Sequence, residues 1–320
     1  MRPVAFAFAA ALIATPALAE VKIAHDFPPN EEDSGGYVWA KAFEDHLNAN
    51  GMEAVGYARN ALGEEAERLD QVSQGLLEIS MSDVKSAGQL DKLIYGVYLP
   101  FLFEDAAGFD RAIEENGLLD RINEGTTPEG VRVLGFQALG LPSGIFNTKQ
   151  PVATLEDIGA LRMRALDETQ IALYESWGST GTMVSWSEVP NALQTGVADG
   201  YLNPPIVPLL FGHTDFITHF TDARITPAMR IIIASEDWYQ GLSDEERGTV
   251  DEGVRLATAA NREWLAGRTT VLDDLKAAGI EVLELSDEAR ASFIEASESV
   301  YEDGVLTPDQ VQLWLDAAGR

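Results

Sequence analysis

Arg162 and Arg164 stand two residues apart in Leu161-Arg162-Met163-Arg164-Ala165-Leu166, within a chain of 22 Lys+Arg against 52 Asp+Glu. Extended backbone alternates its side chains. Leu161, Met163 and Ala165 therefore take one face of such a strand, and both arginines take the other. A planar guanidinium offers a carboxylate two parallel hydrogen bonds and keeps its charge at any relevant pH. Two uses fit this chemistry. One is an exposed strand face paired with nearby acids, the ordinary fate of a surface arginine. The other is a cleft in which one of the two clamps an anion. Two arginines inside a β segment of so acidic a chain call for a reason, and the clamp supplies one.

The remaining chemistry-bearing residues point away from catalysis. With no Cys there is no disulfide, thiolate metal site or Cys nucleophile. Gly140-Leu141-Pro142-Ser143-Gly144 places its serine one position too late for a G-x-S-x-G elbow. Neither G-x-x-x-x-G-K-[ST] nor G-x-G-x-x-G occurs, so no phosphate-cradling loop is supported. His213 and His219 are separated by five residues and H-E-x-x-H is absent, so surface or packing roles suit them better than zinc. Asp26, Glu31, Glu32 and Asp33 lack the alternating ligands of a calcium loop and read as a solvated acidic loop. No metal, cofactor or catalytic residue is expected.

The formal net charge of -30 excludes the Lys/Arg surface that a nucleic acid needs and disfavours attachment to anionic lipid. A hydrophobic fraction of 46% is ample for folding, and 320 residues suit about two lobes. The acids are spread along the chain and form no single acidic tail, which reads as a solubility device. At the N-terminus, Arg2, the apolar or small run Val4 to Thr15, and Ala17-Leu18-Ala19 form a signal-peptide pattern over residues 1-19. That run is shorter than the roughly 20 residues of a membrane span. Cleavage is expected after Ala19. No Cys follows to carry a lipid anchor, so the mature chain is expected free and soluble in a bacterial periplasm.

Positioning the arginines requires a scaffold, and strands alternate with helices along the chain. Strands are expected at Val21 to Ala24, Glu53 to Tyr57 and Leu77 to Met81. Helices are expected at Gly36 to Asn50 and at Glu64 to Gln74, the latter ended by Gly75. Ser185-Trp186-Ser187-Glu188 has capping-box spacing and opens a helix to Gln194, followed by Gly196 and a strand from Val197 to Leu202. A helix-Gly-strand unit thus recurs in each half. Ser243-Asp244-Glu245-Glu246 is a second capping box, and its helix is expected to run to about Ala278. Gly279, a strand from Ile280 to Leu285 and two helices complete the chain, the second helix opening at Thr307-Pro308. No low-complexity linker separates the lobes, which implies several chain crossings and a hinged cleft.

Taken in order, several segments resemble the periplasmic substrate-binding proteins of TRAP transporters, the DctP type. They are Ile23-Ala24-His25, Leu62-Gly63 with Gln71-Val72-Ser73-Gln74-Gly75, Leu99-Pro100-Phe101-Leu102-Phe103, and Leu155-Glu156-Asp157-Ile158 through Arg164. Trp186, Glu188, Ala192-Leu193-Gln194, Gly196, Asp199-Gly200 and Asn203-Pro204 continue the match. The resemblance implies a two-lobed α/β periplasmic binding protein, type II-like, with crossing strands, a long helix and a ligand cleft between lobes. Residues 20-141 plus about 229-268 would form lobe I, and 142-228 plus about 269-285 lobe II. The helices of 286-320 would pack on both. It further implies a monomer that catalyses nothing and hands a small organic acid to a TRAP membrane permease.

Residue by residue, Arg164 matches the family's carboxylate clamp and Asn203 the polar residue after the Asp-Gly turn. Asp83 falls near a ligand-contacting acid of sialic-acid binders. Phe27, Trp39, Phe101, Phe146, Trp186, Tyr201 and Phe211 are aromatics within the matching blocks. Most belong to the core by their nature; Phe27, Trp186, Tyr201 and Phe211 are the candidates for stacking on a ligand. The chain departs from the family in two places. No cation occurs from Leu141 to Phe146, where many members carry a second arginine, and Leu202 stands where many have Glu. Both changes imply a more apolar pocket and a monocarboxylate such as a sugar acid, aromatic acid or keto acid. Alternatives are the same fold serving an ABC importer or a sensor, and a periplasmic hydrolase.

Overall fold

Short apolar segments bounded by capped helices assemble into two sheets. In the computed structural model, which describes residues 20–320, the strands are β1 Val21–Ala24, β2 Ala54–Tyr57, β3 Ile79–Ser82, β4 Val131–Ala138, β5 Gly144–Asn147, β6 Arg162–Ala165, β7 Thr180–Met183, β8 Gly200–Asn203, β9 His219–Asp222, β10 Met229–Ser235 and β11 Glu281–Glu284. The first sheet has the order β2-β1-β3-β10-β4 and the second β11-β9-β5-β8-β6-β7. The signal segment read from residues 1-19 lies outside the described residues. Among those described, no helix is long and apolar enough to cross a membrane.

Parallel strands covered on both faces become continuously apolar or small, as β3 shows with all four residues buried. β10 returns antiparallel between β3 and β4. The chain passes from β4 in the first sheet to β5 in the second, and back from β9 to β10. The two connecting segments are hydrogen-bonded to each other. Leu139 N donates to Ala228 O at 2.8 Å, Ser143 N to Thr226 O at 2.9 Å and Ile225 N to Ser143 O at 2.8 Å. This paired crossing joins the lobes without a flexible linker.

The long helix Asp244–Ala266 packs on the helix Gly35–Ala49 and on β4. The side chain of its Asn261, fully buried, accepts from Ala138 N at 2.8 Å and donates to Ala138 O at 2.9 Å, fixing the end of β4 where the crossing starts. The C-terminal helix Pro308–Ala318 buries Trp314 in the core of the first sheet, where its indole N–H donates to Leu93 O at 2.8 Å. Phe293, from the helix Asp287–Ala296, instead enters the core of the second sheet.

Several sequence expectations change in detail. β3 starts at Ile79 and β8 at Gly200, two or three residues later than expected. Gly75 (φ 72°) and Gly196 (φ 73°) each close a helix in the left-handed region. The apolar residue after each, Leu76 and Val197, lies exposed in the turn. The expected capping box at Ser185 does not form. Ser185 Oγ donates to the Glu188 carboxylate at 3.2 Å instead of capping the backbone, and the α-helix begins at Val189 with Pro190 in its first turn. The box at Ser243 does form, with Ser243 N donating to Glu246 Oε2 at 2.8 Å and Glu246 N to Ser243 Oγ at 3.3 Å. Its helix stops at Gly267 rather than near Ala278. Gly267 and the β-branched pair Thr269-Thr270 are weak helix formers, and a separate helix spans Val271–Ala277. Three helices rather than two follow β11.

Candidate functional site

A cavity of about 660 Å³ lies between the two sheets, a size suited to a small organic molecule. Arg164, Trp186, Asn203 and Phe211 line it from elements of the second sheet, and Phe27 and Asp83 from the first. Six of the seven residues singled out in the sequence therefore meet on one cavity wall or the other.

Arg164 is the most constrained of these. It sits in β6 between β7 and β8, and its side chain is almost wholly buried. Among the described residues its guanidinium makes one hydrogen bond, from Nε to the Val184 carbonyl at 2.9 Å, and Nη2 is buried without a partner. Its charged plane lies 5.8 Å from the Trp186 ring centroid. Burial pulls its pKa below the ordinary guanidinium value, while Tyr174, Asp83, Asp167 and Tyr98 pull the other way. A buried cation with unused donors is costly to leave unpaired.

Arg162, two positions earlier, takes the other fate of a strand arginine. Its Nε and Nη2 donate to the two oxygens of Asp199, both at 3.0 Å, and its side chain is exposed. β6 thus carries one arginine to the surface and one to the cavity.

An aromatic wall backs Arg164. Trp186 packs edge-on against Phe211 at 5.2 Å and tilted against His213 at 5.0 Å. His213 is buried and accordingly held neutral, with its pKa lowered to about 4. Tyr201 does not reach the cavity wall. It is fully buried beneath Trp186, with its hydroxyl 3.1 Å from His213 Nδ1, because β8 is an interior strand covered on both faces. Trp39 and Phe146 are likewise fully buried core residues. Asn203, half-buried at the end of β8, makes no side-chain hydrogen bond among the described residues.

The opposite wall is charged. Arg230 at the start of β10 donates from Nη2 to Asp26 Oδ2 at 2.7 Å and to Glu65 Oε1 at 2.9 Å, and from Nη1 to Asp83 Oδ2 at 2.8 Å. Tyr98 donates to Asp83 Oδ1 at 2.7 Å, and Asp83 also caps the helix Val84–Gly88. Burial, reinforced by Asp26 and Asp83, lifts the Glu65 carboxyl above its ordinary range against the pull of Arg230. Arg230, held by three carboxylates despite its burial, is pushed still higher than a free guanidinium.

This wall corrects the expectation of a more apolar pocket. No cation stands at Ser143, which lines the cavity, but one enters from β10 and carries its own acids. Sequence reading missed Arg230, Glu65 and the role of Asp26. The available signal was a lone arginine opening the apolar strand Met229-Arg230-Ile231-Ile232-Ile233. Asp26 stands apart from Glu31, Glu32 and Asp33, and among the described residues no cluster of His, Asp and Glu is arranged to hold a metal ion.

Residues 34–306 match the family model described as bacterial extracellular solute-binding protein, family 7, DctP. The sequence is 28% identical over 291 residues to the ectoine-binding periplasmic protein TeaA of Halomonas elongata, covering 87% of this chain and 84% of that protein. It is 26% identical over 275 residues to the ectoine/5-hydroxyectoine-binding periplasmic protein UehA of Ruegeria pomeroyi, covering 82% and 79%. In fold it is similar to a TRAP periplasmic solute-binding protein from Sulfitobacter sp. NAS-14.1 with bound β-D-galacturonate. That similarity has a TM-score of 0.84 at 19% identity, covering 94% of this chain and 100% of the other.

Proposed function

Because the chain belongs to the DctP family of bacterial extracellular solute-binding proteins, we propose that it captures a small organic acid in the cleft between its lobes and delivers it to a TRAP-type membrane permease. The observation that carries this reading is Arg164: a buried guanidinium on the wall of a cavity of about 660 Å³, with Nη2 lacking a partner among the described residues. A ligand carboxylate on that guanidinium would satisfy its donors and offset the cost of burying it. Trp186 and Phe211 would cover the body of the ligand, and Asn203 would add a polar contact. Tyr201 would support Trp186 from behind.

The protein acts as a monomeric carrier and not as an enzyme, exported to the periplasm with cleavage after Ala19. Relatives named for ectoine binding, and a neighbour of the same fold holding galacturonate, agree with an acid of modest size. Among the described residues Arg164 is the one cation lining the cavity from the second sheet, so a monocarboxylate is preferred over a dicarboxylate. The lobes would be residues 20-141 with about 229-268, and 142-228 with about 269-285.

A thermal-shift screen over sugar acids, hydroxybenzoates, keto acids, ectoine and C4 dicarboxylates tests the reading. A ligand at 100 times its Kd stabilises the folded protein by about 2.7 kcal/mol, a readily measured shift. One or more monocarboxylates should register. A response confined to dicarboxylates, or to uncharged sugars and amines, would contradict it.

A further inference from the structure

We propose that Asp167 is a proton-uptake site at the seam between the two sheets, so that the protein takes up a proton together with the acid it captures. This rests on the acid-binding reading of Arg164.

Asp167 follows β6 and caps the helix Glu168–Ser176. All of the capping falls on one oxygen. Oδ1 accepts from Thr169 N at 3.0 Å, from Thr169 Oγ1 at 2.6 Å and from Gln170 N at 3.2 Å. Oδ2 is buried without a partner among the described residues. The helix that Asp167 opens packs across the seam on the 3₁₀ helix Lys92–Tyr98, whose Leu93, Ile94 and Val97 belong to the core of the first sheet.

The charged groups around this carboxyl leave it unpaired. Across the seam it faces the Asp83 carboxylate and the Tyr95 and Tyr98 hydroxyls. Asp83 is already engaged by Arg230 and Tyr98. On the near side stand Arg164, Tyr174 and Glu168. Lys92 gives its ammonium to Glu168 at 3.4 Å, with both side chains exposed. Lys85 lines the cavity, and Arg164 spends its one hydrogen bond on the Val184 carbonyl. Among the described residues neither forms an ion pair with Asp167. Burial, reinforced by Asp83, lifts the Asp167 carboxyl above its ordinary range, against the hydrogen bonds from Thr169 and Gln170. Those bonds need only Oδ1, which still accepts when Oδ2 carries a proton. A neutral O–H is also less costly to bury than a charge without a partner.

An arriving acid strengthens the hold on that proton. Its carboxylate would take up the charge of Arg164, three residues before Asp167, and add an anion to the side of the seam that faces Asp83. Each change favours the protonated carboxyl. Asp167 therefore binds its proton more tightly in the complex than in the free protein. Affinity rises as pH falls through the proton-binding range of the complex, and levels off below that of the free protein.

Asp167→Asn keeps the capping oxygen and removes the charge. Should it fail to fold, Asp167→Ser, which also caps a helix without a charge, replaces it. Calorimetric titration uses D-galacturonate, or the tightest monocarboxylate of the screen if that sugar acid is silent. It is run at pH 7.5 and 5.0 in two buffers of different ionisation enthalpy. At pH 5.0 the parent should take up about half a proton or more per ligand and bind at least about threefold more tightly than at pH 7.5. Asp167→Asn should lose both effects and bind at pH 7.5 at least as tightly as the parent. In urea without ligand, the variant should be more stable than the parent at pH 7.5, and the gap should narrow by pH 5.0. The inference is overturned if the parent takes up no proton or if Asp167→Asn takes up as many. It is overturned equally if the variant is both less stable and weaker in binding, which would make the ionised carboxylate a needed partner of Arg164. Glu65→Gln is the comparison for the other raised carboxyl of the cleft: uptake lost there and kept in Asp167→Asn assigns the proton to Glu65. If no acid of the screen binds, the acid-binding reading falls and proton-coupled capture with it, while the urea comparison still shows whether Asp167 is a raised carboxyl.

Discussion

Arg230 and Asp26 are 204 residues apart in the chain and joined by a 2.7 Å hydrogen bond from Nη2 to Oδ2. Arg230 opens β10, the strand that brings the chain back from the second sheet. Asp26 follows β1, the first strand of the fold. The acidic wall of the cleft therefore closes only after the chain has crossed between lobes twice, and the charge cluster couples ligand-site geometry to completion of the first sheet.

Removing the cation from this cluster should be expensive. Arg230→Met would leave Asp26, Glu65 and Asp83 mutually repelling and partly desolvated. Breaking a buried pair by deleting one partner costs about 3–5 kcal/mol. Urea unfolding should show a loss of that order. A loss under about 1 kcal/mol would mean that solvent already screens the three acids.

The cavity-facing arginine of β6 was legible in the sequence and the opposing wall was not, for a physical reason. Arg164 sits in a local pattern, since strand alternation and the rarity of cations in an acidic chain mark Leu161 to Leu166 without knowledge of any contact. Arg230 draws its meaning from partners after β1, in the helix Glu65–Ser73 and after β3, which no local pattern brings together. Aromatic residues show the same limit. Trp186 and Tyr201 were equally plausible by type, but the interior position of β8 sends Tyr201 into the core. Helix ends were legible where a cap acts locally, as at Ser243. They failed at Ser185, where Pro190 moves the helix start, and at Gly267, where the backbone breaks inside an apolar periodic run.

Docking of the C-terminal helix depends on a missing side chain. A Cβ at Gly96 would stand 1.9 Å from the Trp314 indole nitrogen. Gly96→Ala should therefore push Trp314 out of its site and cost about 1–3 kcal/mol, the usual range for overpacking a filled core. Thermal denaturation of the variant measures this. An unchanged Tm would show that Trp314 can shift without penalty.

Stability should fall on mild acidification. Burial holds His213 neutral with a pKa near 4, against an ordinary value of 6.5. Burial lowers His25 to about 4 as well, against the opposing pull of Asp26. Between pH 6.5 and 4 the unfolded chain binds more protons at these positions than the folded one does. The contribution of these two histidines to folding free energy is therefore lost as pH drops through that window, and it must outweigh the opposite contribution of Glu65, whose raised carboxyl takes up its proton more readily in the folded state. Melting curves at pH 6.5, 5.5 and 4.5 should show a declining Tm, and the decline should be shallower in His213→Gln, which keeps a polar group near the Tyr201 hydroxyl. An equal decline in parent and variant would assign the effect to other groups.

The two arginines of β6 offer the sharpest measurement: calorimetric titration of Arg164→Ala, Arg164→Lys and Arg162→Ala with the tightest acid found in the screen, each variant first shown to be folded. Truncating one partner of a buried charge pair costs about 2–5 kcal/mol, or about 30-fold to several thousand-fold in Kd. Arg164→Ala should lose affinity on that scale. Arg164→Lys should recover little of it, because an ammonium cannot make two parallel bonds. Arg162→Ala, which takes an exposed guanidinium from the buried Asp199 and removes nothing from the cavity wall, should bind within a few-fold of the parent. Parental affinity in Arg164→Ala would contradict the assignment of the carboxylate clamp to Arg164.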